Sequence, residues 1–336
     1  MITLRLAGLL SLAALLSAQT LETCRQSHRR GNLEEADRCY LALSASKDPY
    51  LRAEANWALD RYQEANEAFK EALKAQPKNP DYRVRMGYLY LYHEQKQDAV
   101  DLFEEALAIR KDHAGALTGL AAVASEGFDS AAIELAEKAL AADPKQLDAR
   151  LLLAAIALED NNPRKAVEEA DKALQVDPES LEALALKATV DLLDDKPGTP
   201  HLAAILKRNP AFGEVYQTAG RFFVLNRRYE EGIALYRKAL ELNPRLYKAR
   251  AELGLNLMRL GHDAEAKQHL EACYRAGNTY PSVGNPLRLL DSYKNFRYIK
   301  RDNIVLKLHQ READLLLPYV EEELRRAISA YEKKYK

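Results

Sequence analysis

Along this chain the apolar residues return in a fixed order, small then large then small, four and then three positions apart. In residues 62–77, YQEANEAFKEALKAQP, the rungs are Ala65, Phe69 and Ala72, and Pro77 follows. The ladder returns as Ala99, Phe103, Ala106, then as Ala132, Ala136, Ala139 with Pro144, and as Ala166, Ala170, Ala173 with Pro178. Gly232, Tyr236, Ala239 with Pro244 and then Ala266, Leu270, Cys273 complete the series. Rungs so spaced share one face of a helix. From Ala72 the last rung falls at 106, 139, 173, 239 and 273, in steps of 34, 33, 34, 66 and 34, so one copy is hidden inside the longest step.

A period of 34 built on this ladder resembles the tetratricopeptide repeat, a helix–turn–helix unit. Met86-Gly87 with Tyr90, Ala219-Gly220, and Leu253-Gly254 with Gly261 at the turn supply the first-helix part of the pattern. The small residue of each first helix lets the second helix come close, and the large residue fills the gap to the next unit. No unit buries its apolar face alone, so the stack is the core. The resemblance implies an all-α, right-handed solenoid of about eight repeats over 19–278. One degenerate repeat falls near 194–210, where DDKPGTPHL interrupts the pattern before a short helix from Ala203.

Composition agrees with that fold. Charged residues make up 29% of the chain and glycines number 14 in 336 residues, as in an array of solvated helices. A formal net charge of −1 without long like-charge runs gives no footprint for nucleic acid.

Met1 to Ala18, MITLRLAGLLSLAALLSA, has one early cation, an apolar run and small residues at its end. It reads as a secretory signal peptide cut after Ala18, although Leu16 departs from the small residue usual two positions earlier. The run is short for a membrane span, so export without a lasting anchor is expected, to the periplasm or outside the cell. In the first unit Cys24 and Cys39 lie at similar distances from the Gly31 turn on antiparallel helices. In an oxidising compartment they can form a disulfide that clamps the end of the array; the alternative is two buried thiols.

The most aromatic helix is DYRVRMGYLYLYHEQ, residues 81–95. Counted from Pro80, Tyr88 and Tyr92 hold positions that line the concave face in the repeat family it resembles, and Trp57 holds such a position one unit earlier. The three are the candidate contacts for a peptide or a partner helix, against ordinary packing between repeats. The family's carboxylate clamp would use the positions of Val84 and Tyr88, which suit it poorly.

Residues 279–295 read as a linker on the strength of NTYPSVGNP. After it, Ile304, Leu306 and Leu308 alternate with Val305, Lys307 and His309, which predicts a strand, with a hairpin partner conceivable. A long amphipathic helix over 311–335 follows, with Leu316, Tyr319, Val320, Leu324, Ala327, Ile328 and Tyr331 on one face and Pro318 near the first turn. The stretch 296–336 resembles the entry strand and first helix of peptidase MA-like domains, zinc enzymes whose HExxH helix comes later in their chains. Here the nearest string is His93-Glu94-Gln95-Lys96-Gln97, with glutamine in place of the second histidine. His262 and His269 share a helix face without a third ligand. No catalytic constellation, metal site or cofactor motif is expected. The functional expectation is an exported scaffold for protein or peptide partners, of open oligomeric state, as the arm of a larger peptidase-like protein. The alternatives are part of a zinc metallopeptidase and a periplasmic assembly chaperone.

Overall fold

The computed structural model describes residues 20–127, 129–196 and 198–335; the segment read as a leader, 1–18, lies outside them. Eight helix pairs follow one another. They are α1 (Leu21–Arg29) with α2 (Leu33–Leu43), α3 (Pro49–Ala58) with α4 (Tyr62–Ala75), and α5 (Pro80–Tyr92) with α6 (Lys96–Ile109). Next come α7 (Ala114–Glu126) with α8 (Ala131–Ala142), α9 (Leu147–Glu159) with α10 (Pro163–Val176), and α11 (Leu181–Leu193) with α12 (Pro200–Arg208). The last two are α13 (Glu214–Leu225) with α14 (Tyr229–Leu242) and α15 (Tyr247–Arg259) with α16 (Asp263–Arg275). The hidden copy is α11 and α12.

The seven pairs whose turns are described throughout turn in the same way. The amide after the turn donates to the carbonyl five residues back, as from Arg61 to Asn56, Gln95 to Tyr90, Asn162 to Ala157, Lys196 to Asp191 and His262 to Leu257. The residue between is left-handed: Asp60, Glu94, Asn161, Asp195, Arg227 and Gly261 all have φ between 53° and 81°. This is a Schellman closure, which satisfies the last carbonyls of the first helix. Several helices start on side-chain caps, Asp48 accepting from the Tyr50 amide (2.8 Å) and Asn79 from the Asp81 amide (3.0 Å), with Pro49 and Pro80 at the first helical position.

The ladder residues meet as their sizes require. Phe103 is fully buried between Gly87 of its own pair and Gly119 of the next, where an added Cβ would stand 2.6 and 2.4 Å from its ring. First helices touch the first helices of neighbouring pairs and form the inner face of the solenoid.

The degenerate repeat bends the array. Because α12 has only nine residues, the flank of α11 stays open and α13 packs directly on it. Phe212 and Val215 fill the space against Leu181, Leu184 and Ile205. The curl is tight enough for α9 to reach α13, where Arg221 pairs with Glu159.

The segment 279–295 corrects the linker expectation. Its centre is a helix, α17 (Pro281–Ser292), followed by a single 3-10 turn. Pro281 is accommodated at the helix start, and Tyr280, Val283 and Leu287 pack on Ala251 and Cys273. Burial outweighs the loop-forming residues, and α17 covers the end of the array as a capping helix.

Strands β1 (Phe296–Arg301) and β2 (Ile304–His309) form an antiparallel hairpin with Ile299 opposite Leu306. Helix α18 (Ala313–Tyr335) lays Leu317, Val320 and Ile328 on Ile299, Ile304 and Leu306. The buried stripe is therefore narrower than the sequence suggests and rotated from it: Leu316, Tyr319, Leu324 and Tyr331 face solvent. Pro318 falls in the second turn, where it withholds a bond from the Asp314 carbonyl. Asp263 on α16 ties the hairpin to the array, accepting from Tyr298 (3.0 Å) and Lys307. Among the described residues no helix is long and apolar enough to cross a membrane.

Candidate functional site

Three cavities lie along the inner face and share lining residues. The first, about 540 Å³, is bordered by Tyr50, Arg85, Tyr88, His113 and Asp148. Arg85 continues into the second, about 290 Å³, which Glu54, Trp57, Tyr92 and Arg245 also line. Glu214 then leads into the third and largest, about 900 Å³, walled by Leu151, Leu186, Phe212, Phe222, Lys248 and Glu252. First helices from α7 to α15 supply most of that wall, so the cavity is the lumen of the superhelix.

The middle cavity is organised around Glu54, which is 4% exposed on α3. Its carboxylate accepts from Arg85 at 2.6 and 2.8 Å and from Arg25 at 2.7 Å. Burial alone would push this carboxyl up. The hydrogen bonds and charges of Arg85 and Arg25 outweigh it and hold the carboxyl below its usual range. The Arg85 guanidinium lies 4.5 Å from the centre of the Trp57 ring. Trp57 is thus the platform of a buried ion pair as well as cavity lining.

Tyr92 faces the same cavity from α5. The Lys248 ammonium, from α15 on the far side of the superhelix, stands 4.3 Å over its ring. Burial lowers the Lys248 amine and raises the Tyr92 hydroxyl. Next to them His93 is held down to about 4, by burial and then by Lys248. Tyr88 differs. Its hydroxyl donates to the Gly115 carbonyl (3.2 Å) and its ring meets Phe103 edge-on at 5.3 Å. Of the three aromatic candidates, the structure brings Trp57 and Tyr92 together and sets Tyr88 in the next cavity, mostly engaged in packing between repeats.

The superhelix closes on itself after one circuit. Asp37 of α2 accepts two bonds from Arg245, which follows α14. Gly31, at φ 78°, lies so close to Asn209 that a Cβ there would be 2.4 Å from its side-chain oxygen, and Asn209 donates to the His28 carbonyl (3.4 Å). Further along, Glu94 accepts from the Ser282 amide (2.9 Å) and hydroxyl, capping α17. The groove expected from sequence is consequently an enclosed lumen.

Cys24 and Cys39 are joined in a disulfide beside this closure, with Cα atoms 5.3 Å apart. Cys273 is a buried free thiol, pushed up to about 11 by burial. His269 pairs loosely with Glu265 (3.8 Å). Among the described residues no group of three His, Cys, Asp or Glu side chains could hold a metal ion.

Sequence reasoning passed over Glu54, Glu214, Lys248 and Glu252, because charged residues on helices read as solvated faces. One signal was available. Glu214 and Lys248 are 34 residues apart, one period of the repeat, and so hold equivalent inner-face positions.

Tetratricopeptide repeat profiles match residues 29–80 and 50–114, 130–190 and 213–246. The chain belongs to the tetratricopeptide repeat family. A solved tetratricopeptide repeat protein from Parabacteroides merdae is 15% identical, with 73% of this chain and 98% of that one aligned at a TM-score of 0.44. TTC0263, a thermophilic protein of the family from Thermus thermophilus, is 22% identical over 54% of this chain and all of its own, at 0.42. YrrB, described as having an unusual peptide-binding site, is 20% identical over 55% of this chain and 97% of its own, at 0.34. No curated protein sequence matches this tetratricopeptide repeat chain.

Proposed function

We propose that this protein is an exported scaffold that holds an extended segment of a protein partner in the lumen of its superhelix. The observation that carries this reading is the run of three cavities joined through Arg85 and Glu214, the largest about 900 Å³ with an apolar wall. An extended chain places side chains at a regular rise and so engages successive repeats at once. Ala122 and Ala155, both half-buried, line the largest cavity, and tryptophan at both would narrow it. Peptides selected from a random twelve-residue library on the wild-type protein should lose binding to the A122W/A155W variant. Peptides held equally by both would overturn the assignment to the lumen. Trp57, the single tryptophan, gives a second reading on wild-type protein, since its emission should shift on binding.

Export is supported by the Cys24 and Cys39 disulfide, a bond that persists in oxidising compartments. The native protein should begin near Gln19 by intact mass, and a native protein retaining Met1 would count against export.

A second reading is favoured by the C-terminal hairpin and α18, which exposes Leu315, Tyr319, Leu324 and Tyr331. In it the array is the arm of a larger peptidase-like polypeptide, and further chain covers this face. A native species well above 37.9 kDa carrying about one zinc would support it, and a metal-free species of lower mass would dismiss it.

A further inference from the structure

The lumen is acidic out of proportion to the chain. Twelve Asp or Glu side chains line the three cavities against seven Lys or Arg, whereas the whole sequence carries 50 against 49. In the largest cavity most carboxylates have partners: Glu126 pairs with Lys96 (2.8 Å), Glu159 with Arg221, and Glu94 with Ser282. No ion pair among the described residues reaches Glu214 or Glu252. Burial pushes Glu214 up to about 7 and raises Glu252 as well.

A second observation points to a missing ligand at the same place. Tyr280 lines this cavity, is 5% exposed, and its buried hydroxyl has no hydrogen-bond partner. An orphan buried hydroxyl is costly unless something completes it, and the half-buried carboxylates of Glu214 and Glu252 line the same cavity without an ion-pair partner. The cations that line the cavity are engaged elsewhere, Lys248 with the Tyr92 ring, Lys96 with Glu126 and Arg221 with Glu159. Three metal-ligating side chains do not gather here among the described residues, so the complement is an organic cation. The wall of Leu151, Leu186, Phe212 and Phe222 asks for apolar groups beside it.

We propose that the segment taken into the lumen is basic and apolar, with lysine or arginine side chains paired to Glu214 and Glu252 and its apolar side chains on the wall. This rests on the lumen being the binding surface.

Three labelled ten-residue peptides, alternating leucine with lysine, with glutamine or with glutamate, test it by fluorescence anisotropy on residues 19–336. The Lys-Leu peptide should bind wild type at least tenfold more tightly than the Gln-Leu peptide. In the E214Q/E252Q variant that advantage should vanish. K248Q should strengthen Lys-Leu binding. Equal binding of Lys-Leu and Gln-Leu, tighter binding of Glu-Leu, or a Lys-Leu advantage that survives E214Q/E252Q would overturn the proposal. The A122W/A155W variant separates the two readings. If it abolishes binding while the charges make no difference, only the basic ligand is refuted; if it binds all three as wild type does, the lumen itself is refuted. Circular dichroism and melting confirm that each variant is folded, which is expected of E214Q/E252Q because neither glutamate carries an ion pair.

Discussion

Asp37 and Arg245, 208 residues apart in sequence, meet through hydrogen bonds of 2.7 and 3.1 Å. The first repeat thereby closes against the seventh and eighth, and a groove open along its length becomes a lumen with two ends. Both side chains are partly exposed, so the pair by itself contributes on the order of 0–1 kcal/mol. Its importance is positional: with the contact of Gly31 on Asn209 it selects the closed form of the superhelix.

Reversing one charge, Asp37→Arg, should open the ring. A larger radius of gyration by small-angle scattering and faster hydrogen exchange in α1 and α2 are expected, and Asp37→Arg with Arg245→Asp should restore both. A closed profile in the single variant would show that the ring holds without this pair.

Glu54→Gln should cost about 3 kcal/mol, the usual loss when one member of a buried ion pair is removed. The carboxyl of Glu54 lies below its ordinary value in the folded protein. Its contribution is therefore full above the unfolded value near 4.5 and is lost as pH falls through the folded one. Chemical denaturation at several pH values should show the gap between wild type and E54Q narrowing as pH falls below about 4.5. A gap independent of pH would assign the loss to packing.

Glu214 has the opposite sign. Its folded value is raised to about 7, so stability from this site is full below about pH 4.5 and is lost as pH rises toward 7. The E214Q variant should melt above wild type at pH 8 and together with it at pH 4. Equal melting at both would mean that Glu214 ionises freely in the lumen.

Gly119→Ala places a methyl group 2.4 Å from the Phe103 ring, an overpacking that should cost about 1–3 kcal/mol. Phe103→Leu in the same chain should recover part of the loss. Urea titration of the three proteins decides it, and a neutral G119A would mean that α7 shifts outward freely.

Replacing Cys24 and Cys39 by serine removes a bridge across 15 residues, a loop for which the chain-entropy contribution is about 3 kcal/mol. Because repeats unfold from their ends, the effect should concentrate in α1 and α2. Hydrogen exchange by mass spectrometry would register it there, and uniform protection would refute a clamping role.

Much of this architecture is legible in one dimension. The rungs at Ala65, Phe69, Ala72 and their copies name the buried faces, because burial in a stack of identical units depends on helical period alone. Proline at 49, 80 and 163 marks helix starts for the same local reason. Reading failed where tertiary packing overrode local preference. Residues 281–292 carry two prolines and a glycine yet form α17, because Val283 and Tyr280 bury against Cys273 and Ala251. The charged lining of the lumen was hidden because Glu54 or Glu252 on a helix has no one-dimensional sign of burial. The stripe on α18 was misjudged because the hairpin covers only part of an apolar surface that sequence marks as a whole.

The sequence by itself determined the repeat, its number and the interior of the regular helix pairs, since each of these follows from contacts between residues at most one period apart. The tertiary structure alone decided how far the array curls. That curl depends on the nine-residue α12, which lets α13 settle on α11, and on contacts such as Asp37 with Arg245 that no local pattern encodes. Small rotations between units add along a solenoid, so one shortened helix is enough to turn an open groove into a closed, acidic lumen.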